Sequence, residues 1–151
     1  MRGKLNYMKI TICGSIEFTS KIKEAADWLI GKGHIADIPL TSQRIINEEL
    51  TLEEFKKEKQ KNGDGSFRKI KDDVIRRYYE IIKECDAILV LNLEKNKIKN
   101  YIGGNTFLEM GFAHVLNKKI YLLNGIPDMS YTDEIKAMGP IIIGGNLDGI
   151  E

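Results

Sequence analysis

The chain has 151 residues, enough for one domain with a substantial core and short for two. Its net charge of +1 gives no electrostatic reason to expect a nucleic-acid polymer or a membrane as partner. No apolar run approaches the roughly 20 residues that a membrane-spanning helix needs. Cys13 and Cys85 are too few for a disulfide scaffold and are expected to be reduced and buried, which indicates a cytoplasmic protein. No metal or other cofactor is expected.

The first half of the chain predicts two strands around a helix, followed by a charged segment. Residues 9–13 form a strand-like run, and apolar residues at helical spacing predict a helix over 18–32. Residues 34–40 predict a short second strand that Pro39 closes. An insertion at about 41–68 is rich in charge and in helix formers. Two interpretations of this insertion stay open: a solvated helix with a mobile turn, or a lid over a site.

The second half alternates helices and strands up to the last residues. Its predicted elements are helices at 66–84 and about 106–116, strands at 87–91, 119–123 and 141–143, and a short helix capped at Ser130 or Thr132. The wholly apolar run 87–91 is typical of a central parallel strand buried on both faces. Alternating strands and helices predict one α/β domain over 1–151, with a doubly wound five-stranded parallel sheet in a flavodoxin- or Rossmann-like three-layer sandwich.

Ligands of such sheets bind beyond the carboxyl ends of the strands. Three segments therefore become site candidates: Gly14-Ser15-Ile16-Glu17 after the first strand, the loop before Gly103 after the third, and the residues from Asn124 onward after the fourth. The first of these could present backbone N–H groups to a phosphate or a sugar hydroxyl. The alternative is a plain turn with a serine cap. No GxGxxG fingerprint or glycine-lysine phosphate loop is present.

The segment Gly103-Gly104-Asn105-Thr106 places backbone donors, an amide and a hydroxyl at a helix start, so we expect these residues to bind substrate. Two hypotheses stay open for Glu109. In the first, Thr106-x-x-Glu109 is a capping box, a structural feature worth about 1 kcal/mol. In the second, a carboxylate on a helix that is apolar on nearly all sides must be paired or functional, and it is a nucleophile.

Three stretches in a fixed order carry a family resemblance: ICGSI at 12–16, CDAILV at 85–90 and, after a glycine loop, LEMGFA at 108–113. This pattern resembles the nucleoside 2-deoxyribosyltransferase family, including the related 2'-deoxynucleoside 5'-phosphate N-hydrolases. The resemblance implies a flavodoxin-like fold and a homodimer or larger homo-oligomer. It also implies cleavage or transfer at the N-glycosidic bond of a small-molecule (deoxy)nucleoside or nucleoside 5'-monophosphate.

The resemblance also implies roles for single residues. Glu109 would attack the anomeric carbon and form a covalent glycosyl-enzyme that water or a second base resolves. Gly14 and Ser15 would approach the sugar or the 5'-phosphate, with Asn105 and Thr106 nearby. The chain departs from the family pattern at Thr11, where the family often has tyrosine, and at Tyr78, where it has an aspartate that helps to protonate the base.

Tyr78 and Asp73, one turn away on the same helix, are therefore the catalytic candidates beside Glu109. Two other functions remain open. Gly103-Gly104-x-Thr106-x-x-Glu109 is similar to the motif of phosphoribohydrolases, which act on ribonucleoside monophosphates and have one more residue before the threonine. The departures from the pattern also fit a non-catalytic domain that binds or senses nucleotides.

Overall fold

A computed structural model describes residues 7–61 and 66–150. Five strands form one sheet in the order β2-β1-β3-β4-β5, and every pairing is parallel. The strands are β1 (Lys9–Cys13), β2 (Ile35–Asp37), β3 (Ala87–Val90), β4 (Lys119–Leu122) and β5 (Ile141–Ile142). This order is that of a flavodoxin-like doubly wound sheet, so the predicted fold class is confirmed.

Six α-helices connect and cover the strands within the described residues. They are α1 (Thr19–Gly31), α2 (Leu40–Ile46), α3 (Leu52–Lys61), α4 (Ser66–Lys83), α5 (Gly104–Val115) and α6 (Thr132–Ala137). None of the described helices is long and apolar enough to cross a membrane.

Strand alternation divides the core into two layers. Ile10 and Ile12 of β1 pack with α1 on one face of the sheet, while Cys13 packs with α4 and α5 on the other. All four residues of β3 are fully buried, which confirms the prediction of a central strand covered on both faces. The result is a three-layer sandwich in which the carboxyl ends of β1 and β3 lie side by side.

Two predicted features, the extent of the second strand and the cap of the short helix, differ from the structure. The second strand covers only Ile35–Asp37, because Pro39 is the N-cap of α2 and the insertion begins as a helix. Neither Ser130 nor Thr132 caps α6: the N-cap is Tyr131, and the Thr132 hydroxyl instead accepts a 2.8 Å hydrogen bond from the Met129 N–H. The turn expected within the insertion, at residues 62–66, lies almost wholly outside the described residues, which resume at Ser66.

The charged insertion folds into α2 and α3, and α3 begins with a capping box. The Thr51 hydroxyl accepts from the Glu54 N–H at 3.0 Å, and the Glu54 carboxylate accepts from the Thr51 N–H at 3.2 Å. The two interactions satisfy two N–H groups at the start of a helix that is otherwise mostly charged. The capping box fixes where α3 begins, and α3 in turn forms a wall of the cavity described next.

Candidate active site

A cavity of about 530 Å³ opens beyond the carboxyl ends of β1 and β3. Its volume lies within the usual range of small-molecule sites, roughly 300 to 1,000 Å³. The predicted substrate-binding residues all line it, namely Gly14, Ser15, Ile16, Gly103, Gly104, Asn105 and Thr106. Glu109 and Tyr78 line it as well. The topological switch point thus brings two segments some 90 residues apart in sequence to one site, as the fold class predicts.

Space is tight at Gly14, where β1 ends. A Cβ atom on Gly14 would lie 3.3 Å from the carbonyl oxygen of Leu91, a backbone atom that cannot move aside easily. A side chain at this position would therefore require the ends of β1 and β3 to shift by a few tenths of an ångström. Gly103 is similarly confined, because its Cβ would lie 3.1 Å from the ring of Tyr101. The two glycines allow the segments that carry Ser15 and Asn105 to approach the cavity closely.

The helix that carries Glu109 begins two residues earlier than predicted. Gly103 is the N-cap of α5 in an extended conformation, and its carbonyl accepts the first helical hydrogen bond from Phe107 at 2.9 Å. Thr106 is therefore the third residue of the helix, and no side chain caps the start. Since a capping box needs its threonine at the N-cap, the capping-box hypothesis for Thr106 and Glu109 is wrong.

The Glu109 carboxyl group lies at the inner wall of the cavity. Its Oε2 is buried and has no hydrogen-bond partner among the described residues. Burial raises the pKa of Glu109 to about 8, although a hydrogen bond from the Cys13 thiol and the positive charge of Lys71 both act to lower it. Cys13 itself is fully buried, which raises the pKa of its thiol well above the usual range. An unpartnered carboxyl oxygen of this kind is costly unless a ligand uses it.

Ser15 takes part in a polar network that also lines the cavity. Its side chain does not cap the short 3₁₀ turn that follows, so the serine-cap alternative is wrong. Instead, the Ser15 hydroxyl accepts a 2.9 Å hydrogen bond from Lys95. Lys56 forms a 2.9 Å ion pair with Glu17, and Lys95 lies 4.0 Å from the same carboxylate. The bond from Lys56 lowers the pKa of Glu17, which holds this carboxylate ionised.

Two further lysines line the cavity, Lys59 on α3 and Lys71 on α4. Burial lowers the pKa of Lys71, and the positive charge of Lys59 lowers it further. Lys71 makes no ion pair within 4 Å among the described residues. The ammonium group of Lys71 therefore faces the cavity without a fixed anionic partner.

Asp73 does not reach the cavity, contrary to its prediction as a catalytic residue. Its carboxylate is exposed and forms a 2.8 Å ion pair with Arg77 on the outer side of α4. The reason is helical periodicity: Lys71, Val74 and Tyr78 share the inner stripe, and position 73 falls outside it.

Tyr78 lies in the predicted place, but its hydroxyl is already engaged. It is buried and donates a hydrogen bond to the backbone carbonyl of Ile12. Burial also raises the pKa of Tyr78 well above its usual range. This bond leaves the hydroxyl no proton to offer a ligand, so the prediction of Tyr78 as an acid is not supported by its geometry.

The third predicted segment also lies elsewhere. Asn124 does not line the cavity, because its backbone and side chain form three hydrogen bonds with Asn92 that tie together the loops after β3 and β4. Four lysines of the site were not predicted from the sequence, namely Lys56, Lys59, Lys71 and Lys95. The charge-rich insertion and the lysine-rich loop before Gly103 were visible, but no spacing rule joins residues that only the fold brings together.

Within the described residues no group of three His, Cys, Asp or Glu side chains could hold a metal ion.

No family model matches the chain, and no curated protein matches its sequence. Among solved structures, the chain is similar to that of Clostridium botulinum CMP N-glycosidase, BcmB. The sequence identity is 17%, the similarity covers 90% of this chain and 89% of that one, and the TM-score is 0.48. A likeness at this level does not assign an activity to the chain.

Proposed function

We propose that this protein cleaves the N-glycosidic bond of a nucleoside 5'-monophosphate, with Glu109 as the nucleophile. One observation carries the proposal: the Glu109 carboxyl lies in the cavity at the switch point with one oxygen buried and unpartnered among the described residues. The helix needs no cap from this side chain, so its position has no structural explanation of that kind. A carboxyl group placed in this way is suited to attack an anomeric carbon.

The charges that line the cavity favour a phosphorylated substrate over a neutral nucleoside. Lysines outnumber glutamates by four to two, and one of the glutamates, Glu17, is paired with Lys56. An anion that entered the cavity would find Lys95 and the Ser15 hydroxyl within 2.9 Å of each other. A dianionic 5'-phosphate matches this excess of positive charge, and focusing by a concave wall strengthens the attraction.

The reaction would proceed in two steps with retention of configuration. The Glu109 carboxylate attacks the anomeric carbon as the bond to the base breaks, which leaves a covalent glycosyl-enzyme. Water, or a second base in a transferase, then attacks the same carbon and releases Glu109. In both steps the positive charge that develops on the sugar lies next to the ionised carboxylate, which stabilises it.

The proposed activity should increase as pH rises. Glu109 must be ionised to act as a nucleophile, and burial raises the pKa of its carboxyl to about 8. The fraction of free enzyme that is ready to react therefore increases as pH rises toward 8. We expect kcat/KM to increase with pH over this range, because kcat/KM reports ionisations of the free enzyme.

The test is a survey of the common nucleosides and their 5'-monophosphates, in ribo and deoxyribo forms, with the released base followed by chromatography. We expect release from at least one monophosphate, a lower kcat/KM for the matching nucleoside, and no release by Glu109→Gln. Activity on ribonucleotides alone would favour a phosphoribohydrolase. Equal activity of Glu109→Gln and the wild type would contradict the proposal.

A second candidate is a domain that binds nucleotides without turnover. The raised pKa of Glu109 favours it, because a carboxyl that stays protonated at neutral pH can donate a hydrogen bond to a ligand. This candidate predicts tight nucleotide binding by calorimetry, no released base after days, and weaker binding above pH 8.

A further inference from the structure

The proposed reaction needs a proton for the departing base, and neither acid candidate from the sequence supplies it. Asp73 is turned to solvent and paired with Arg77. The hydroxyl of Tyr78 is bonded to a backbone carbonyl. A base that leaves without a proton leaves as an anion, and general acid catalysis at this point typically contributes 10²–10⁴-fold to the rate. The reaction therefore needs another proton donor in the cavity wall.

We propose, resting on the proposed function above, that the Lys71 ammonium group is the general acid that protonates the departing base. Lys71 lies on the inner stripe of α4, one turn from Val74 and two from Tyr78, and lines the same cavity as Glu109. Helices α4 and α5 pack against each other, which brings the two side chains to one wall. The positive charge of Lys71 also acts to lower the pKa of Glu109, so the two groups interact.

The surroundings of Lys71 differ from those of the other lysines in the cavity. Lys56 is held by Glu17, Lys95 is held by the Ser15 hydroxyl, and Lys59 is exposed. Lys71 is partly buried and has no ion pair among the described residues, so its protons are available to a ligand. Burial and the nearby charge of Lys59 lower the pKa of Lys71, which makes its ammonium group a stronger acid than an exposed lysine.

The proton balance of the cycle closes with these two residues alone. In the first step the Glu109 carboxylate forms a bond to the anomeric carbon, the bonding pair leaves with the base, and the base takes a proton from the Lys71 ammonium. In the second step water attacks the same carbon, the neutral Lys71 amine takes the proton from water, and Glu109 leaves as a carboxylate. The enzyme returns to its initial protonation state.

The proposal also predicts the shape of the pH profile. The reactive form has Glu109 ionised and Lys71 protonated, so activity rises toward pH 8 as Glu109 ionises. Activity falls again where Lys71 loses its proton, and this limb lies below pH 10.5 because the pKa of Lys71 is lowered from that ordinary value. Titratable groups that face this pair are Lys59 on α3, Cys13 on β1 and Tyr78 on α4. The other charged groups of the cavity are Glu17, Lys56 and Lys95. Lys71→Met should remove the alkaline limb and keep the acidic limb, which moves to higher pH because Lys71 lowers the pKa of Glu109.

The decisive test compares two leaving groups. The first substrate is the purine nucleoside 5'-monophosphate that the wild type cleaves fastest, and the second is its 7-methyl derivative, whose cationic base leaves as a neutral molecule without a proton. For an enzyme that prefers pyrimidines, the second substrate is the 5-nitro derivative, whose anion is a weak base. The variants are Lys71→Met, Lys71→Arg and, as a matched control on the exposed side of α4, Lys69→Met.

If Lys71 is the acid, Lys71→Met and Lys71→Arg both lose at least about 100-fold in kcat on the parent substrate and less than about tenfold on the activated one. Arginine keeps the charge but does not give up a proton, so it does not rescue. Rescue by arginine, or equal losses on both substrates, would overturn the proposal in favour of anion binding or a structural role. Lys69→Met should match the wild type.

The two proposals fail in different ways. If Glu109→Gln is inactive on both substrates while the Lys71 variants show equal losses, the nucleophile stands and the acid is wrong. If the wild type releases no more base than Glu109→Gln from either substrate, the proposed function itself is wrong, and the role of Lys71 is overturned with it.

Discussion

The sequence Thr-x-x-Glu occurs at the start of two helices, and the two copies do different things. At Thr51 and Glu54 the side chains bond each other's backbone N–H groups at 3.0 and 3.2 Å, and both residues are exposed. At Thr106 and Glu109 neither side chain caps the helix, and the Glu109 Oε2 is buried without a partner among the described residues. One pattern is a structural cap, and the other contributes a carboxyl group to a cavity.

The position of the helix start explains the difference. Thr51 is the residue immediately before α3, where a hydroxyl can accept from the third residue of the helix. At α5 the extended Gly103 takes the N-cap position, and the helix therefore begins before Thr106. A glutamate three residues after a threonine is thus a cap only when the threonine is the N-cap. Because Gly103 is the N-cap of α5, the Glu109 side chain does not cap this helix.

The largest expected effect is a difference in base release between Glu109→Gln and Glu54→Gln. Glu109→Gln should lose at least about 10³-fold in base release, because amide nitrogen and oxygen cannot replace a carboxylate nucleophile. Glu54→Gln should stay within a few-fold of the wild type, since glutamine also serves at the third position of a capping box. Steady-state base release measures both. Comparable losses in the two variants would mean that Glu109 acts through structure alone.

The next effect concerns stability and its pH dependence. The pKa of the Glu109 carboxyl is about 4.5 in the unfolded chain and about 8 in the folded protein. Ionisation of this buried carboxyl therefore lowers the free energy of unfolding by almost nothing below pH 4.5, and by an amount that grows as pH rises to 8. Each pKa unit corresponds to roughly 1.4 kcal/mol, and burial of the glutamine amide in the variant offsets part of the gain. Glu109→Gln should therefore stabilise the fold by on the order of 3 kcal/mol at pH 8. At pH 4 the gain should vanish. Urea unfolding at both pH values tests this, and an equal change at pH 4 and 8 would contradict it.

A smaller effect is expected at the true cap. Thr51→Ala removes the hydroxyl that accepts from the Glu54 N–H and should cost α3 about 1 kcal/mol. Because α3 carries Lys56 and Lys59 into the cavity wall, KM for the nucleotide should rise several-fold while kcat changes little. Hydrogen exchange of the α3 amides, measured beside the kinetics, should accelerate. Faster exchange with an unchanged KM would show that α3 is not part of the binding wall.

The fold was predictable because its signal is repeated along the chain. The apolar run at 87–91, with strands and helices alternating on either side, indicated a parallel sheet, and the sheet order then fixed which loops meet. The place of Gly14 and Gly103 in the site was predictable for the same reason, since both lie after strands that meet at the switch point. Local patterns thus located the loops, and topology located the site.

The polar contacts within the site were not predictable from local patterns. Which stripe of α4 faces inward decides between Asp73 and Lys71, and a shift of two positions turns a side chain from solvent to cavity. The lysines come from three separate segments, α3, α4 and the loop before Gly103. Likewise, Thr106 and Glu109 carried the signature of a cap, and only the start of α5 at Gly104 revealed that no cap is formed.

One measurement tests the nucleophile most directly. The protein is incubated with the 2'-fluoro-arabino analogue of its best nucleotide substrate, in which the fluorine slows breakdown of the glycosyl-enzyme, and the adduct is mapped by peptide mass spectrometry. We expect an added sugar phosphate on the peptide that contains Glu109, and none in Glu109→Gln. An adduct on any other residue, or turnover of a natural substrate with inversion at the anomeric carbon, would contradict it.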